Sequence, residues 1–318
     1  MKNIYLNIYK PNLVNLKKAK KSIENNNIIG IPSETVYGLA GNAYSNDAVK
    51  KIFKLKKRPN FNSLIIHFKN LRDLSRDVVI NKDFKKLYNT FCPGPITFVL
   101  KKKKKSKISK FATAGKETVA VRIPKHRLLR KFLKTLKVPL AAPSANVSTK
   151  LSPTSAEDVF DEFGYKIKFI LDGGKCKIGL ESTIIDLTKN PNILRPGSIT
   201  SEKIERILKK KIDVNKNFKT IKSPGQLRHH YSPGIPVKMN CKKAKKNEAF
   251  IVFGKKYKTK ANYYNLSQNG NLKEAANNLY KTLRIIKKKN YKSIAITKIP
   301  EIGIGRAIND SLRKASNK

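Results

Sequence analysis

The segment Ile28–Leu39 (IIGIPSETVYGL) places a polar triplet directly after an apolar run. The run Ile28–Ile31 predicts a buried strand, and Ser33-Glu34-Thr35 follows at its end. Ligands collect at the carboxyl ends of strands in α/β sheets, so the triplet is a candidate binding segment. The same residues could instead form a capping box that starts a helix. The segment therefore predicts an α/β fold, with two interpretations open for its polar part.

Apolar runs and helical patterns alternate outward from this segment through the first two-thirds of the chain. Asn46 or Asp47 is expected to cap the next helix. The spacing predicts further strands at 64–68, 96–100, 119–123, 138–142, 167–171 and 182–187, and helices at 82–91, 127–136, 154–163 and 201–209. Such alternation predicts an α/β domain with a twisted mixed sheet flanked by helices.

A polar, turn-rich segment between Lys210 and Pro236 interrupts the pattern. Beyond it, the spacing predicts a strand at 249–253, a helix at 272–287, a strand at 293–297 and a helix at 304–315. This βαβα order predicts a small C-terminal α/β domain of the Rossmann-like kind. The predicted organisation is a large domain over 1–210, a linker or lid over 211–235, and the C-terminal domain over 236–318.

The net charge of +49 in 318 residues points first to nucleic acid or an anionic surface. Only 12 of the 70 cations are Arg, however, and Lys is spread over the whole chain. We therefore attribute much of the charge to a compositional bias and the rest to functional basicity. A weak, salt-sensitive affinity for RNA is expected in either case.

The three cysteines lie far apart, without Cys-x-x-Cys spacing, and the chain starts without the apolar run of a signal peptide. No apolar stretch approaches the roughly 20 residues of a membrane span. These features predict a soluble, cytoplasmic protein without disulfides, structural zinc or membrane contact.

Two short signatures combine hydrogen-bonding side chains with prolines that fix the backbone. They are Lys56–Pro59 (KKRP), with Asn62 just beyond, and Ala142–Ser148 (APSANVS). Together they would offer cations, hydroxyls and an amide to one polyphosphate. Arg195, beside a Pro-Gly turn, is a further candidate phosphate clamp, although a lone Arg is more often a surface residue.

Other polar residues carry a weaker signal. Gly179–Thr183 (GLEST) places an acid and two hydroxyls at the start of a strand, where an edge strand exposed to solvent is the alternative. His67 ends a strand and could be structural; the ring of Tyr231 could stack on a base or simply pack in a loop. No covalent nucleophile with its base stands out, so an enzyme would act by positioning and charge stabilisation.

In combination, these motifs resemble the threonylcarbamoyl-AMP synthases of the long, two-domain type within the YrdC-domain family. The matching segments include Ile31–Leu39, Lys56–Pro59, Pro93–Thr97 (PGPIT), Val121–Pro124 (VRIP), Ala142–Asn146, Ser152–Thr154, Asp172–Gly174, Gly179–Thr183, Leu194–Gly197 (LRPG), Arg228–Pro233 (RHHYSP) and Gly303–Asp310. The resemblance covers essentially the whole chain. It implies a YrdC-like catalytic domain followed by that family's C-terminal domain.

The resemblance implies an L-threonylcarbamoyladenylate synthase, a nucleotidyltransferase that condenses L-threonine, bicarbonate and ATP into threonylcarbamoyl-AMP and releases diphosphate. Mg²⁺ is expected as the cofactor, together with ATP. The product would serve N6-threonylcarbamoyladenosine formation at position 37 of tRNAs reading ANN codons, which a separate transferase complex completes. Contact with tRNA itself is expected to be weak or indirect.

The resemblance also assigns site residues, while leaving the metal ligands unknown. The catalytic tetrad would be Lys56, Arg58, Ser144 and Asn146. The ATP site would use Arg58, Asn62, Thr118, Ser144, Ser152, Arg195 and Tyr231, the last carried by a lid. L-threonine would be held by Thr35, His67, Arg122, Ser182 and the backbone of Ala142.

Two other functions remain as alternatives. A non-catalytic module that binds tRNA or double-stranded RNA would suit the net charge, but it would not need the hydroxyl-rich segments around Ser144 and Ser182. Carbamoyl transfer of the hydrogenase-maturation kind would require Cys-rich zinc segments and an acylphosphatase-like domain, and the sequence has neither.

Overall fold

Strands and helices alternate along residues 5–214, 230–257 and 260–316, the parts of the chain that the computed structural model describes. The strands are β1 Ile8–Tyr9, β2 Ile29–Ile31, β3 Gly38–Asn42, β4 Ile65–His67, β5 Ile96–Lys101, β6 Thr118–Arg122, β7 Leu140–Ala141, β8 Ile170–Leu171, β9 Thr183–Asp186, β10 Asn192–Arg195, β11 Asp213–Val214, β12 Val237–Lys238, β13 Glu248–Val252, β14 Tyr263–Asn265 and β15 Ser293–Ile296. The α-helices are α1 Leu13–Glu24, α2 Asn46–Lys56, α3 Leu71–Asp77, α4 Lys82–Phe91, α5 Arg127–Thr135, α6 Ala156–Phe163, α7 Ser201–Leu208, α8 Leu272–Lys287 and α9 Gly305–Ser316. A short 3₁₀ helix covers Gly164–Lys166.

The first eleven strands of the described chain form one mixed sheet in the order β1-β8-β2-β3-β7-β4-β6-β5-β9-β10-β11. Neighbours such as β4 and β6 run parallel, whereas β4 and β7 are antiparallel. The remaining four strands form a second, parallel sheet in the order β12-β15-β13-β14. Both features confirm the predicted fold class: a large mixed sheet with helices, and a small α/β unit near the C-terminus.

Side-chain caps mark where several helices begin, because the first backbone N–H groups of a helix lack intrahelical acceptors. The Ser45 side chain accepts a hydrogen bond from the N–H of Ala48 and starts α2, so the prediction that Asn46 or Asp47 caps this helix was wrong by one or two positions. Lys57, with φ +48°, ends the same helix in the left-handed region. This turn separates Lys56, the last helical residue, from Arg58.

The polar triplet after β2 does not start a helix, so the capping-box alternative is excluded. Ser33 Oγ lies 2.8 Å from Thr35 Oγ1 and donates to the carbonyl of Val36 at 2.6 Å, which turns the chain back into antiparallel β3. The edge-strand alternative for Gly179–Thr183 is excluded too, since β9 pairs with both β5 and β10 and is buried.

The C-terminal part packs directly on the larger sheet domain. Leu151, Leu180 and Tyr231 belong to one buried cluster with apolar side chains of α8 and α9. Gly179, with φ +75°, allows the close approach: a Cβ there would lie 2.6 Å from the Cα of Asn277 on α8. Asn277 also donates from Nδ2 to the carbonyl of Cys176 at 2.8 Å. Helix α8 thus forms the interface between the two parts.

Two features bear on the predicted organisation without testing its limits. Strand β11 adds to the large sheet, although it lies inside the predicted linker, 211–235. Residues 215–229, and so most of the predicted lid, lie outside the described residues. The helices that the structure describes include none with the length and apolarity that a membrane crossing requires.

Candidate active site

A cavity opens where the ends of β4 and β6 meet the segments that follow β2 and β7. Its wall is built from stretches far apart in sequence and includes all five residues predicted to bind threonine and three of those predicted to bind ATP. These residues are Thr35, His67, Arg122, Ala142 and Ser182, and Arg58, Ser144 and Arg195. The cavity is narrow, with a volume of about 50 Å³. The structure therefore brings most of the predicted site into one place.

Arg122, at the end of β6, is held on three sides. Its Nη2 donates to Glu34 Oε1 at 2.7 Å, its Nη1 donates to Thr35 Oγ1 at 2.9 Å, and its Nε donates to the carbonyl of Gly94 at 3.3 Å. Glu34 also accepts from the backbone N–H groups of Lys125 and His126. Burial acts to raise the pKa of Glu34, but Arg122 and the backbone N–H of Lys125 outweigh burial and lower that pKa. The guanidinium is thus fixed by a buried ion pair, and one N–H on each Nη remains for a ligand.

His67, at the end of β4, is buried with both ring nitrogens lacking a hydrogen-bond partner in the described part of the chain. Burial, and secondarily the charge of Arg122, lowers the pKa of His67 to about 3. The ring is therefore neutral at physiological pH. A buried polar group without a partner is costly, so a ligand that hydrogen-bonds it gains affinity.

Two arginines supply positive charge to the cavity. Arg58 donates from Nε to the carbonyl of Asn62 at 2.7 Å and from Nη2 to Asn62 Oδ1 at 2.6 Å, while its Nη1 has no partner among the described residues. Burial and the nearby Arg195 lower the pKa of Arg58 to about 9. Arg195 donates to the carbonyl of Ser182 at 2.9 Å and to its Oγ at 3.1 Å. Such fixed guanidinium groups are suited to phosphate or carboxylate oxygens.

The other two members of the predicted tetrad lie behind the cavity wall rather than in it. Lys56 is fully buried and donates to the carbonyl of Ser144 at 2.5 Å and to that of Asn146. Burial, and then Arg58, lowers its pKa. Asn146 donates from Nδ2 to the carbonyls of Val147 and Lys150, and its buried Oδ1 is left without a partner in the described chain. Both side chains shape the loop that presents Ser144.

The remaining predicted ATP residues have different surroundings. Asn62 orients Arg58, as described above, and Ser152 donates to Glu181, which lines the cavity. Tyr231 is buried, with its ring centroid 5.4 Å from that of Tyr280. Thr118 begins β6, about 13 Å along the strand from Arg122, and does not line this cavity. The nucleotide roles of these four residues stay predictions.

Three residues of this cavity and its support were not predicted from the sequence. Glu34 fixes Arg122, Glu181 is the one acidic side chain among the described residues that line the cavity, and His230 lines it as well. His230 is buried, and burial followed by Lys314 and Arg58 lowers its pKa. The quoted motifs contain all three residues, but the motifs gave no information on which way each side chain points.

The fold and the cavity define an α/β protein whose mixed sheet carries a cavity lined by fixed arginines and hydroxyl groups, a chemistry suited to a small anionic ligand. Two family models match the chain: one described as "Telomere recombination" over residues 21–197, and one described as "Threonylcarbamoyl-AMP synthase, C-terminal domain" over residues 199–317. The chain belongs to the threonylcarbamoyl-AMP synthase family.

Individual relatives agree with this assignment over nearly the full length. The chain is 37% identical to the threonylcarbamoyl-AMP synthase of Pyrococcus abyssi, with 95% of this chain and 94% of that protein covered. It is 35% identical to that of Bacillus subtilis, covering 95% and 92%. The crystal structure of P. abyssi Sua5 complexed with L-threonine superposes with a TM-score of 0.89 at 34% identity, covering 97% of this chain and 96% of that one.

Proposed function

We propose that this chain is an L-threonylcarbamoyladenylate synthase that converts L-threonine, bicarbonate and ATP into threonylcarbamoyl-AMP and diphosphate. One observation carries the proposal: five residues expected to hold threonine and three expected to hold ATP line a single cavity. A module that only binds the RNA backbone would not need the neutral, buried His67 or the fixed Arg122. The relative crystallised with L-threonine supports the amino acid as one ligand.

The threonine side of the cavity would recognise both ends of the amino acid. The carboxylate would bind the two remaining N–H groups of Arg122, while His67 and the Ser182 hydroxyl offer hydrogen bonds to other polar atoms. Valine, which has a methyl group in place of the hydroxyl, would leave such a partner unpaired and would be rejected.

The nucleotide side would stabilise charge. Bicarbonate loses hydroxide to give carbon dioxide, which adds to the neutral threonine amine. The amine proton combines with that hydroxide as water and leaves a carbamate, whose oxygen attacks the α-phosphate as diphosphate leaves. Arg58 and Arg195, which line the cavity, would offset negative charge that develops on the phosphate oxygens, and Lys56 would hold the loop that carries Ser144. Because the cavity measures only about 50 Å³, seating a nucleotide would displace part of the wall, which His230 helps to form.

Mg²⁺ is proposed to arrive with ATP rather than to reside in the protein. The described residues contain no cluster of three or more His, Cys, Asp or Glu that would hold a metal, and Glu181 is the acidic side chain facing this cavity. A single carboxylate fits Mg²⁺, which is usually bound by substrate phosphates, water and one or two carboxylates. When bound, the ion would neutralise charge on the phosphates.

The product would be consumed by a separate transferase that modifies adenosine 37 of tRNAs reading ANN codons in the cytoplasm. The positive net charge of +49 supports a weak, salt-dependent contact with tRNA.

Mass spectrometry of the products tests the proposal. With ATP, Mg²⁺, bicarbonate and threonine present, threonylcarbamoyl-AMP and diphosphate should form together, and omission of any substrate should abolish the adenylate. An Arg122→Gln variant should lose the product while tRNA retention is unchanged. Binding of RNA without adenylate formation would instead support the non-catalytic module.

A further inference from the structure

Glu181 lines a cavity that also contains Arg58 and Arg195, yet it forms no ion pair with any residue of the described chain. Its carboxylate is held by two hydroxyl groups instead. Ser152 donates to Oε1, and Tyr280 donates to Oε2 at 2.8 Å. Glu181 as a whole residue is only 7% exposed, so water screens its charge poorly.

An unrestrained carboxylate at this place would be expected to pair with an arginine. Opposite charges attract strongly in a buried cavity, and both arginines line the cavity that Glu181 lines. The two hydroxyl donors hold Glu181 in a position where it pairs with neither arginine. An arginine that is free of Glu181 keeps its charge available for a phosphate group.

Tyr280 comes from α8, in the C-terminal part of the chain, not from the sheet domain that supplies the rest of the cavity. It is completely buried, and its hydroxyl also lies 3.3 Å from Ser311 Oγ on α9. Burial and the adjacent Glu181 raise the pKa of Tyr280, so the hydroxyl keeps its proton for donation. Gly179, just before Glu181 in the sequence, allows α8 to approach closely at this point.

We propose that Tyr280 is a positioning residue for the nucleotide site: it holds the carboxylate of Glu181 away from Arg58 and Arg195, so that both cations remain free for the triphosphate. The C-terminal domain is thereby a working part of the active site. This inference rests on the proposed function, because it assumes that ATP binds in this cavity.

Calorimetric titration with MgATP tests the idea without requiring turnover. The Tyr280→Phe variant keeps the ring that packs against Tyr231 and loses only the hydroxyl. Its Kd for ATP should rise about tenfold, which corresponds to about 1.4 kcal/mol and lies near the contribution of one hydrogen bond to a charged group. The Kd for threonine should stay within about twofold, since Arg122 is fixed by Glu34.

Removal of the Glu181 charge should suppress the rise in the Kd for ATP that Tyr280→Phe causes. In a Glu181→Gln background, Tyr280→Phe should change the Kd for ATP less than about twofold, because no carboxylate remains to compete for the arginines. Two further variants serve as controls: Asn277→Ala loosens the domain contact without touching Glu181, and Tyr291→Phe removes a remote tyrosine hydroxyl. Both should bind ATP like the wild type.

The outcomes separate this inference from the proposed function. If the wild type does not bind MgATP, the function is wrong. If the wild type binds and Tyr280→Phe binds equally well, the positioning role is refuted. The positioning role would also be refuted if Asn277→Ala lost as much ATP affinity as Tyr280→Phe, or if Tyr280→Phe had its full effect in the Glu181→Gln background. Either result would indicate that Tyr280 acts only by holding the two domains together. Thermal unfolding of each variant verifies that it is folded.

Discussion

Replacement of Lys56 by Met should separate catalysis from stability. The ammonium group of Lys56 is fully buried and donates to the carbonyls of Ser144 and Asn146, so it supports the loop that carries Ser144. Methionine has a similar length and is flexible enough to fill the same space. The substitution therefore removes the charge and both hydrogen bonds without leaving a large cavity.

Two opposing effects determine the stability of this variant. Each carbonyl left unpaired costs about 1–3 kcal/mol. The loss of a buried ammonium, whose desolvation lowers its pKa in the native state, offsets part of that cost. We expect the free energy of unfolding to fall by no more than about 3 kcal/mol, which is less than the summed cost of two unpaired carbonyls. Activity should fall by ~10²-fold or more, because the loop behind the cavity wall loses the ammonium group that fixes the position of Ser144.

The assay is threonine-dependent diphosphate release, measured beside urea unfolding. Lys51→Met is the matched control, since Lys51 lies on the same helix, is exposed and donates to the carbonyl of Asn26 at 3.0 Å. It should retain wild-type activity. Full activity of Lys56→Met in a folded protein would refute the role of Lys56, and a loss of activity no greater than the loss of folded protein would reduce that role to stability.

Three other predictions follow from the same geometry. Arg122→Lys keeps a charge beside Glu34 but loses the planar guanidinium group, so calorimetry should find threonine binding weakened at least ~10-fold and ATP binding unchanged. Equal weakening of both would contradict the assignment of Arg122 to the threonine carboxylate. The pKa of His67 is about 3 in the native state and about 6.5 in the unfolded chain. Between these two pH values only the unfolded chain binds the proton, so the free energy of unfolding falls as the pH drops. Between pH 7 and pH 5.5 the wild type should lose roughly 1 kcal/mol more than His67→Gln in urea unfolding, and parallel losses would show that His67 is not neutral in the native state. Gly179→Ala would combine a strained φ of +75° with a clash against α8. Calorimetric unfolding should therefore record a lower Tm, with the C-terminal part unfolding before the sheet domain. An unchanged Tm would contradict the close approach of α8.

Local sequence patterns predicted much of the fold. The apolar run before the Ser33-Glu34-Thr35 triplet predicted β2, and the periodicity over Lys82–Phe91 and Leu272–Lys287 predicted α4 and α8 with their observed ends. These elements are long or strongly patterned, so their own residues determine them. Strand β3, Gly38–Asn42, was not predicted, because its glycines and alanine lack β-propensity and its strand form depends on pairing with β2 and β7.

The sequence predicted which segments form the site but not the directions and contacts of their side chains. The motifs predicted a shared site for Arg58, Ser144 and Arg195, and all three residues line one cavity. They did not indicate that Lys56 points away from it to backbone carbonyls, since the direction of a side chain at a helix end depends on the tertiary packing. The contact between Tyr280 and Glu181 was equally hidden, because it joins residues 99 positions apart across two domains.

The central claim is that threonine and the nucleotide share one cavity. Titration of MgATP into the wild-type protein, with and without saturating threonine, tests it most directly. The shared cavity predicts that threonine lowers the Kd for ATP at least about fivefold, the lower end of ordinary coupling between bound ligands. An ATP affinity that is the same in both titrations would contradict it.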